Sequence, residues 1–199
     1  LELLICAVPY LRDRDVRTVS ANDSFEDIEK ALTAGIYAHY ARVFEAAKIA
    51  RGNSDVAIIA MGHLFVKGGK TRPDDGTRAL YVGTSVQVGT DIFPDEITYT
   101  ALGHLHSPQF VGRENIRYSG SPVAMGFGEA GQQKAVYVIE IDGKNLAGLK
   151  NIPVPIFQRL ERISGNLDEI ESKIHDIIRA QNEAAHVGED LHTDEKNSV

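Results

Sequence analysis

The chain has 199 residues, 43% of them hydrophobic and 25% charged, with a formal net charge of −7. That composition suits a globular protein with one sizeable core in one or two domains, and the acidic balance excludes a chain that coats nucleic acid through bulk electrostatics. No apolar stretch reaches the roughly 18–20 residues of a membrane-spanning helix and no signal-peptide pattern appears, so no membrane partner is expected; the single cysteine, Cys6, excludes an internal disulfide framework and fits a reducing cytoplasm.

The first predicted element is Leu3-Leu4-Ile5-Cys6-Ala7-Val8, an apolar run that reads as a buried strand with Cys6 as a small core residue. Because the chain opens on Leu1, with a strand directly after it, it is expected to be a piece of a longer protein that starts inside a sheet. Ser24, with Asp27 three residues on, predicts a capped helix; Ile28, Leu32, Ile36, Tyr40, Val43, Phe44 and Ala47 recur at helical spacing up to Gly52. Val56 to Ala60 reads as a second buried strand, so that the helix joins two strands as a βαβ crossover would, and Met61-Gly62-His63 forms its exit. Lys67-Gly68-Gly69-Lys70-Thr71-Arg72, with Arg78 beyond, predicts a flexible basic loop; phosphate contact and simple solvation are both open to it.

Ile97 to Leu102 predicts a third strand, which runs into Gly103-His104-Leu105-His106. Short strands follow at Gln109 to Val111, Ile116 to Tyr118, Ala135 to Ile141 and Leu146 to Val154, the last two joined by a turn at Asp142-Gly143-Lys144-Asn145, and antiparallel pairing is expected among them. Pro153 and Pro155 interrupt the ladder and suggest a boundary. Beyond it Phe157 to Ile163 predicts a strand and Leu167 to about Ala180 a helix with Ile170, Ile174, Ile177 and Ile178 on one face, before a polar, charge-rich end from Gly188.

The histidines carry the chemistry. Along an extended backbone residues i and i+2 lie on the same side, so His104 and His106 can face one cleft, and neutral imidazole is a common ligand for transition metals. His63 leaves a second strand in the same way, which puts three imidazoles at the carboxyl ends of two predicted strands, where open α/β sheets build their sites. Taken singly, His63 reads more readily as a packed or solvated loop residue than as a ligand; His39 and His175, inside helical patterns, and His186 and His192, in the polar end, are read as structural. Ser119-Gly120-Ser121-Pro122 lacks the strand–turn–helix frame of a nucleophile elbow and is assigned to a turn near the cleft. Gly126-Phe127-Gly128-Glu129-Ala130-Gly131 precedes a strand where a dinucleotide fingerprint must open a helix, which argues against that use.

An ordered set of segments goes beyond the histidines: Cys6-Ala7-Val8-Pro9-Tyr10-Leu11-Arg12, Ile59-Ala60-Met61-Gly62-His63, Tyr81-Val82-Gly83-Thr84, Ala101-Leu102-Gly103-His104-Leu105-His106, Arg117-Tyr118-Ser119-Gly120-Ser121-Pro122 and Asn151-Ile152-Pro153-Val154-Pro155. In order and approximate spacing this set resembles the SbcD-like DNA nucleases of the calcineurin-like metallophosphoesterase superfamily. The resemblance implies an α/β fold that is the later half of a metallophosphoesterase α/β/β/α sandwich with mixed sheets, over residues 1–152, followed over 153–199 by the start of a small α+β DNA-capping domain. It implies two divalent metal ions, manganese above all, with His63 and His104 on one and His106 on the other. It also implies DNA as substrate, an ABC-type ATPase of the SbcC kind as partner, and repair-type exonuclease and endonuclease activity in the cytoplasm.

The family's earlier motifs, an Asp-x-His, a Gly-Asp-x-x-Asp and a Gly-Asn-His-Asp, are absent from this chain. They hold the bridging aspartate and the general-acid histidine, so no catalytic residue is assigned here and the chain alone is expected to be inactive. Two other readings share the three histidines: a metallophosphoesterase acting on nucleotides or phosphoproteins, and a non-catalytic interaction fragment. Unpaired strand edges would favour association, including a homodimer.

Overall fold

A computed structural model describes residues 2–17, 23–71 and 86–194, with side chains placed as far as residue 182. The chain divides into two compact units, Leu1–Leu160 and Glu161–Val199.

In the first unit, strands β1 (Leu3–Ala7), β2 (Ala57–His63), β3 (Tyr99–Gly103), β4 (Gln109–Val111) and β5 (Arg113–Tyr118) form one sheet in the order β1-β2-β3-β5-β4. The pairs β1–β2, β2–β3 and β3–β5 are parallel, and β4 closes the far edge antiparallel to β5. The short helix α1 (Asp13–Val16) precedes the long helix α2 (Phe25–Arg51), the predicted connection between β1 and β2. Helix α2 starts where Ser24 and Asp27 make a reciprocal capping box: the Asp27 amide donates to Ser24 Oγ at 3.2 Å and the Ser24 amide to Asp27 Oδ2 at 3.3 Å.

Helix α2 buries Leu32, Ile36, Tyr40, Phe44 and Ala47, one stripe at helical spacing. Opposite them the register aligns Leu4 with Ile58, Cys6 with Ala60, Gly62 with Leu102 and Leu102 with Tyr118, so one sheet face meets that stripe. Each fully buried large side chain contributes roughly 1.5–3 kcal/mol relative to exposure. Tyr40, Phe44 and Phe93 extend this core as a ring cluster with centroids 5.7–6.2 Å apart. Strands β6 (Ala135–Asp142) and β7 (Asn145–Pro153) form a separate two-stranded sheet around the predicted turn, where Gly143 adopts φ 55°. Its Tyr137 ring lies 5.6 Å from the Arg117 guanidinium of β5, on the face away from α2. The helix, mixed sheet and hairpin make the α/β/β part of the predicted sandwich.

The structure corrects three expectations at the level of elements. Among the described residues strand β1 lies at the edge of the sheet, and Leu3 and Ile5, on the face away from α2, are 38% and 58% exposed, so in this chain only the side toward α2 is buried. β5 pairs parallel to β3, and antiparallel pairing is confined to β4–β5 and β6–β7 among the described residues. No strand forms over 157–163: Ile156 and Phe157 are exposed, and the ladder that would extend them ends at Pro153, where ring nitrogens cannot donate.

The second unit contains helix α3 (Leu167–Asp194), which continues past the predicted end at Ala180 and through Gly188. It is capped by Asn166, whose Oδ1 accepts from the Glu169 amide at 3.0 Å while Glu169 Oε2 accepts from the Asn166 amide at 3.2 Å. Among the described residues no helix is long and apolar enough to cross a membrane.

Candidate metal centre

The parallel pairing of β2 with β3 sets His63 beside Gly103, which aligns the carboxyl ends of the two strands. His63 ends β2 on the face away from α2, and its ring occupies the space over Gly103: a Cβ there would lie 2.9 Å from His63 Nδ1. The glycine before His104 is therefore a packing requirement of His63. His104 follows with φ 107°, the sole non-glycine positive φ among the described residues. Such a backbone costs on the order of 1–3 kcal/mol and persists where surrounding contacts hold it. The strain turns the His104 ring toward His63, with centroids 5.6 Å apart, while Phe65 flanks His104 at 5.9 Å and Tyr10 flanks His63 at 5.9 Å.

Burial, and then the nearby His106, lower the pKa of His63 and favour its neutral ring, the form that carries a lone pair. His106 is held differently. Its Nδ1 lies 3.0 Å from Glu129 Oε1, and the Glu129 side chain has no solvent exposure. The carboxylate also accepts from Ser121 Oγ at 2.9 Å and the Met125 amide at 3.3 Å, and it pairs with Lys134, which is itself buried. Burial alone would raise the Glu129 pKa, but the Lys134, Ser121 and His106 hydrogen bonds outweigh it and hold the carboxyl below its ordinary value. The His106 carbonyl accepts from Lys134 Nζ at 3.2 Å and from the Ser121 amide at 3.2 Å, so one network fixes both its ring and its backbone.

The structure thus brings His63 and His104 ring to ring and seats His106 on a buried carboxylate. Among the described residues no group of three or more His, Cys, Asp or Glu side chains converges as a ready metal cage. The donor chemistry fits the imidazole part of a divalent site, and the described residues do not add the bridging carboxylate that such a site needs. The sequence reading missed Glu129 and Lys134 and treated Ser121 as part of a plain turn. The one signal for them was an acid inside a glycine-rich loop five residues before a lysine that opens an apolar strand.

The described part of the basic loop is anchored: the Lys70 amide donates to Gln109 Oε1 at 2.7 Å and Gln109 Nε2 donates to the Lys70 carbonyl at 2.9 Å. Arg72, Arg78 and Tyr81-Val82-Gly83-Thr84 lie outside the described residues.

No protein-family model matches the chain. Among curated proteins it is similar to the D subunit of the nuclease SbcCD of Escherichia coli strain K12, 33% identical over 172 residues, or 86% of this chain and 42% of the relative. The same protein of Escherichia coli O157:H7 matches to the same extent, and that of Rhodobacter capsulatus is 32% identical over 151 residues, or 76% of this chain and 36% of the relative. The chain spans about two fifths of the length of the curated relatives it matches. Across most of its own length, then, the chain is SbcD-like, similar in sequence to the D subunit of the nuclease SbcCD.

Proposed function

We propose that this chain carries the imidazole ligands of a two-metal nuclease site that hydrolyses DNA phosphodiesters. The observation that supports it is the pairing of His63 and His104 at the carboxyl ends of adjacent parallel strands, with His106 two residues on and seated on Glu129. His63 and His104 would hold one divalent cation and His106 a second, manganese in this reading; imidazole suits it together with carboxylates. Such ions, when bound, supply Lewis acidity to the phosphate and acidify a shared water. The chain's own residues orient the ligands: Gly103 leaves room for His63, strained His104 turns toward it, and the Glu129 network fixes His106. A bridging carboxylate and a general acid are to come from outside the described residues, so the chain by itself is inactive in this reading.

The names of the relatives, D subunits of the nuclease SbcCD, support a place in a complex of that type; an SbcC-like ABC-type ATPase as partner and DNA repair and recombination as the setting belong to the same proposal. Exonuclease action on duplex DNA driven by ATP, endonuclease action on single strands, and a cytoplasmic location belong to the same proposal. So does a DNA-capping role for the region from residue 153 onward. The test is manganese-dependent cleavage of end-labelled duplex and hairpin DNA by the protein from its full reading frame, with the ATPase partner and ATP, beside His104→Ala. Cleavage lost in a folded His104→Ala protein is the expected result. A folded, manganese-loaded protein that leaves both DNAs intact overturns the reading.

A further inference from the structure

The geometry points to Glu129 as a positioning residue for His106, one that fixes the imidazole with its proton on Nδ1 and its lone pair on Nε2, while Lys134 and Ser121 hold the carboxylate in place. This inference rests on the metal reading for its purpose, but its structural content stands without a metal.

Three observations carry it. First, an ionised carboxylate only accepts hydrogen bonds, so the 3.0 Å contact of Nδ1 with Glu129 Oε1 requires Nδ1 to donate. The neutral ring then has its lone pair on Nε2.

Second, the carboxylate is built in. Oε1 takes His106 Nδ1 and the Met125 amide, while Oε2 takes Ser121 Oγ and Lys134 Nζ, so both oxygens are fixed and the group cannot rotate away from the ring without losing two partners. Glu129 is 1% exposed and Lys134 5% exposed. Two charges carried into the interior are costly unless each is paired, and removal of either leaves the other unpaired. Such a pair is poor as a stabilising device, and its placement against His106 suggests what it does.

Third, the same network grips the backbone of His106. Lys134 Nζ and the Ser121 amide both reach the His106 carbonyl, each at 3.2 Å. Gly120, at φ 81°, makes the turn that permits this approach: a Cβ there would lie 2.7 Å from the His106 oxygen. Ring orientation, ring tautomer and main-chain position are therefore set from one buried charge pair, contributed by the loop before β6 and the residue that precedes that strand.

The test reads the tautomer directly. The full chain, with 15N in its histidine rings and no added metal, is studied by long-range proton–nitrogen NMR over a rising pH series until the ring signals no longer change, and His106→Ala identifies the His106 signals. The expected wild-type pattern is the Nδ1-protonated tautomer alone; an Nε2-protonated His106 overturns the inference without any variant. In Glu129→Gln the side-chain amide can donate or accept, so a mixture of tautomers should appear. Manganese binding, followed by the electron paramagnetic resonance of the free ion, should weaken by about tenfold or more. A folded Glu129→Gln protein that keeps the single tautomer and binds manganese within twofold of wild type overturns the inference. If the wild-type chain shows the Nδ1-protonated ring and Glu129→Gln mixes it, yet neither binds manganese, the positioning role stands; the metal reading falls if the protein from the full reading frame, which would add the bridging carboxylate, also leaves manganese unbound.

Discussion

Tyr118 shows how a single side chain can organise the approach to the candidate centre. It is fully buried at the end of β5, its hydroxyl donates to the Leu64 carbonyl at 2.8 Å, and it accepts from the Val66 amide at 2.9 Å. Burial pushes its pKa far up, so it stays a neutral donor throughout the physiological range. Those two bonds hold the chain that leaves His63. Tyr118→Phe keeps the ring but leaves two buried backbone groups unpaired, and the expected loss is about 1–3 kcal/mol in urea-induced unfolding. A second residue-level expectation concerns Asp15, whose carboxyl is lowered to about 2 by the side-chain hydrogen bond from Arg12, helped by the Arg12 backbone amide. The folded value lies below the unfolded one, about 3.9. The contribution of this pair to stability is therefore present above about pH 4 and is lost as pH falls through about 2. A carbon-detected carboxyl titration should place Asp15 near 2 in the wild-type protein and higher in Arg12→Ala, though still below the unfolded value because the backbone amide bond remains.

At the scale of elements, helix α2 decides which sheet face is core, and Gly35 sets how closely α1 can approach it. A Cβ on Gly35 would lie 2.0 Å from the Val16 carbonyl oxygen, a backbone atom that cannot swing aside. Helix propensity alone favours Ala over Gly by about 1 kcal/mol. The clash is expected to win, so that Gly35→Ala destabilises by about 1–3 kcal/mol, read as a lower midpoint in thermal or urea unfolding; a more stable variant would show that α1 yields easily. The capped start of α2 and the hairpin turn were legible in sequence, because each rests on a local rule of spacing or turn chemistry, whereas β2 runs three residues past its predicted end at Ala60 to include His63. The absent strand at 157–163 and the open face of β1 were not legible. Whether an apolar run becomes a strand, and which of its sides is covered, depends on partners that sequence proximity does not name. Leu3 and Ile5 look the same in sequence as the covered Ile59, which shares their sheet face, yet they sit on an edge strand while Ile59 lies in a strand paired on both sides.

For the whole molecule, cation binding and folding are linked. A ligand that binds the folded chain alone adds about 2.7 kcal/mol to its stability at about a hundred times its dissociation constant. Manganese is expected to raise the melting temperature of the wild-type protein, and to do so less in His63→Ala and His104→Ala, with calcium as a control ion that prefers oxygen ligands. A manganese-induced rise equal in all three proteins would place the ion elsewhere.

The sequence by itself determined the alternation of strands and helix, the position of three histidines at or just beyond strand ends, and the similarity to SbcD-like proteins, since all of these are properties of residue order. Tertiary structure alone decided that His63 lies over Gly103 and beside His104, because that proximity arises from the parallel register of two strands, one ending at His63 and the other starting only at Tyr99. It also decided that His106 rests on Glu129, with Lys134 closing the charge pair. No periodicity marks such a network. Its members come from different loops, and their meaning lies in burial: a glutamate and a lysine that would read as surface residues in the sequence become, without water, a fixed pair that can orient an imidazole.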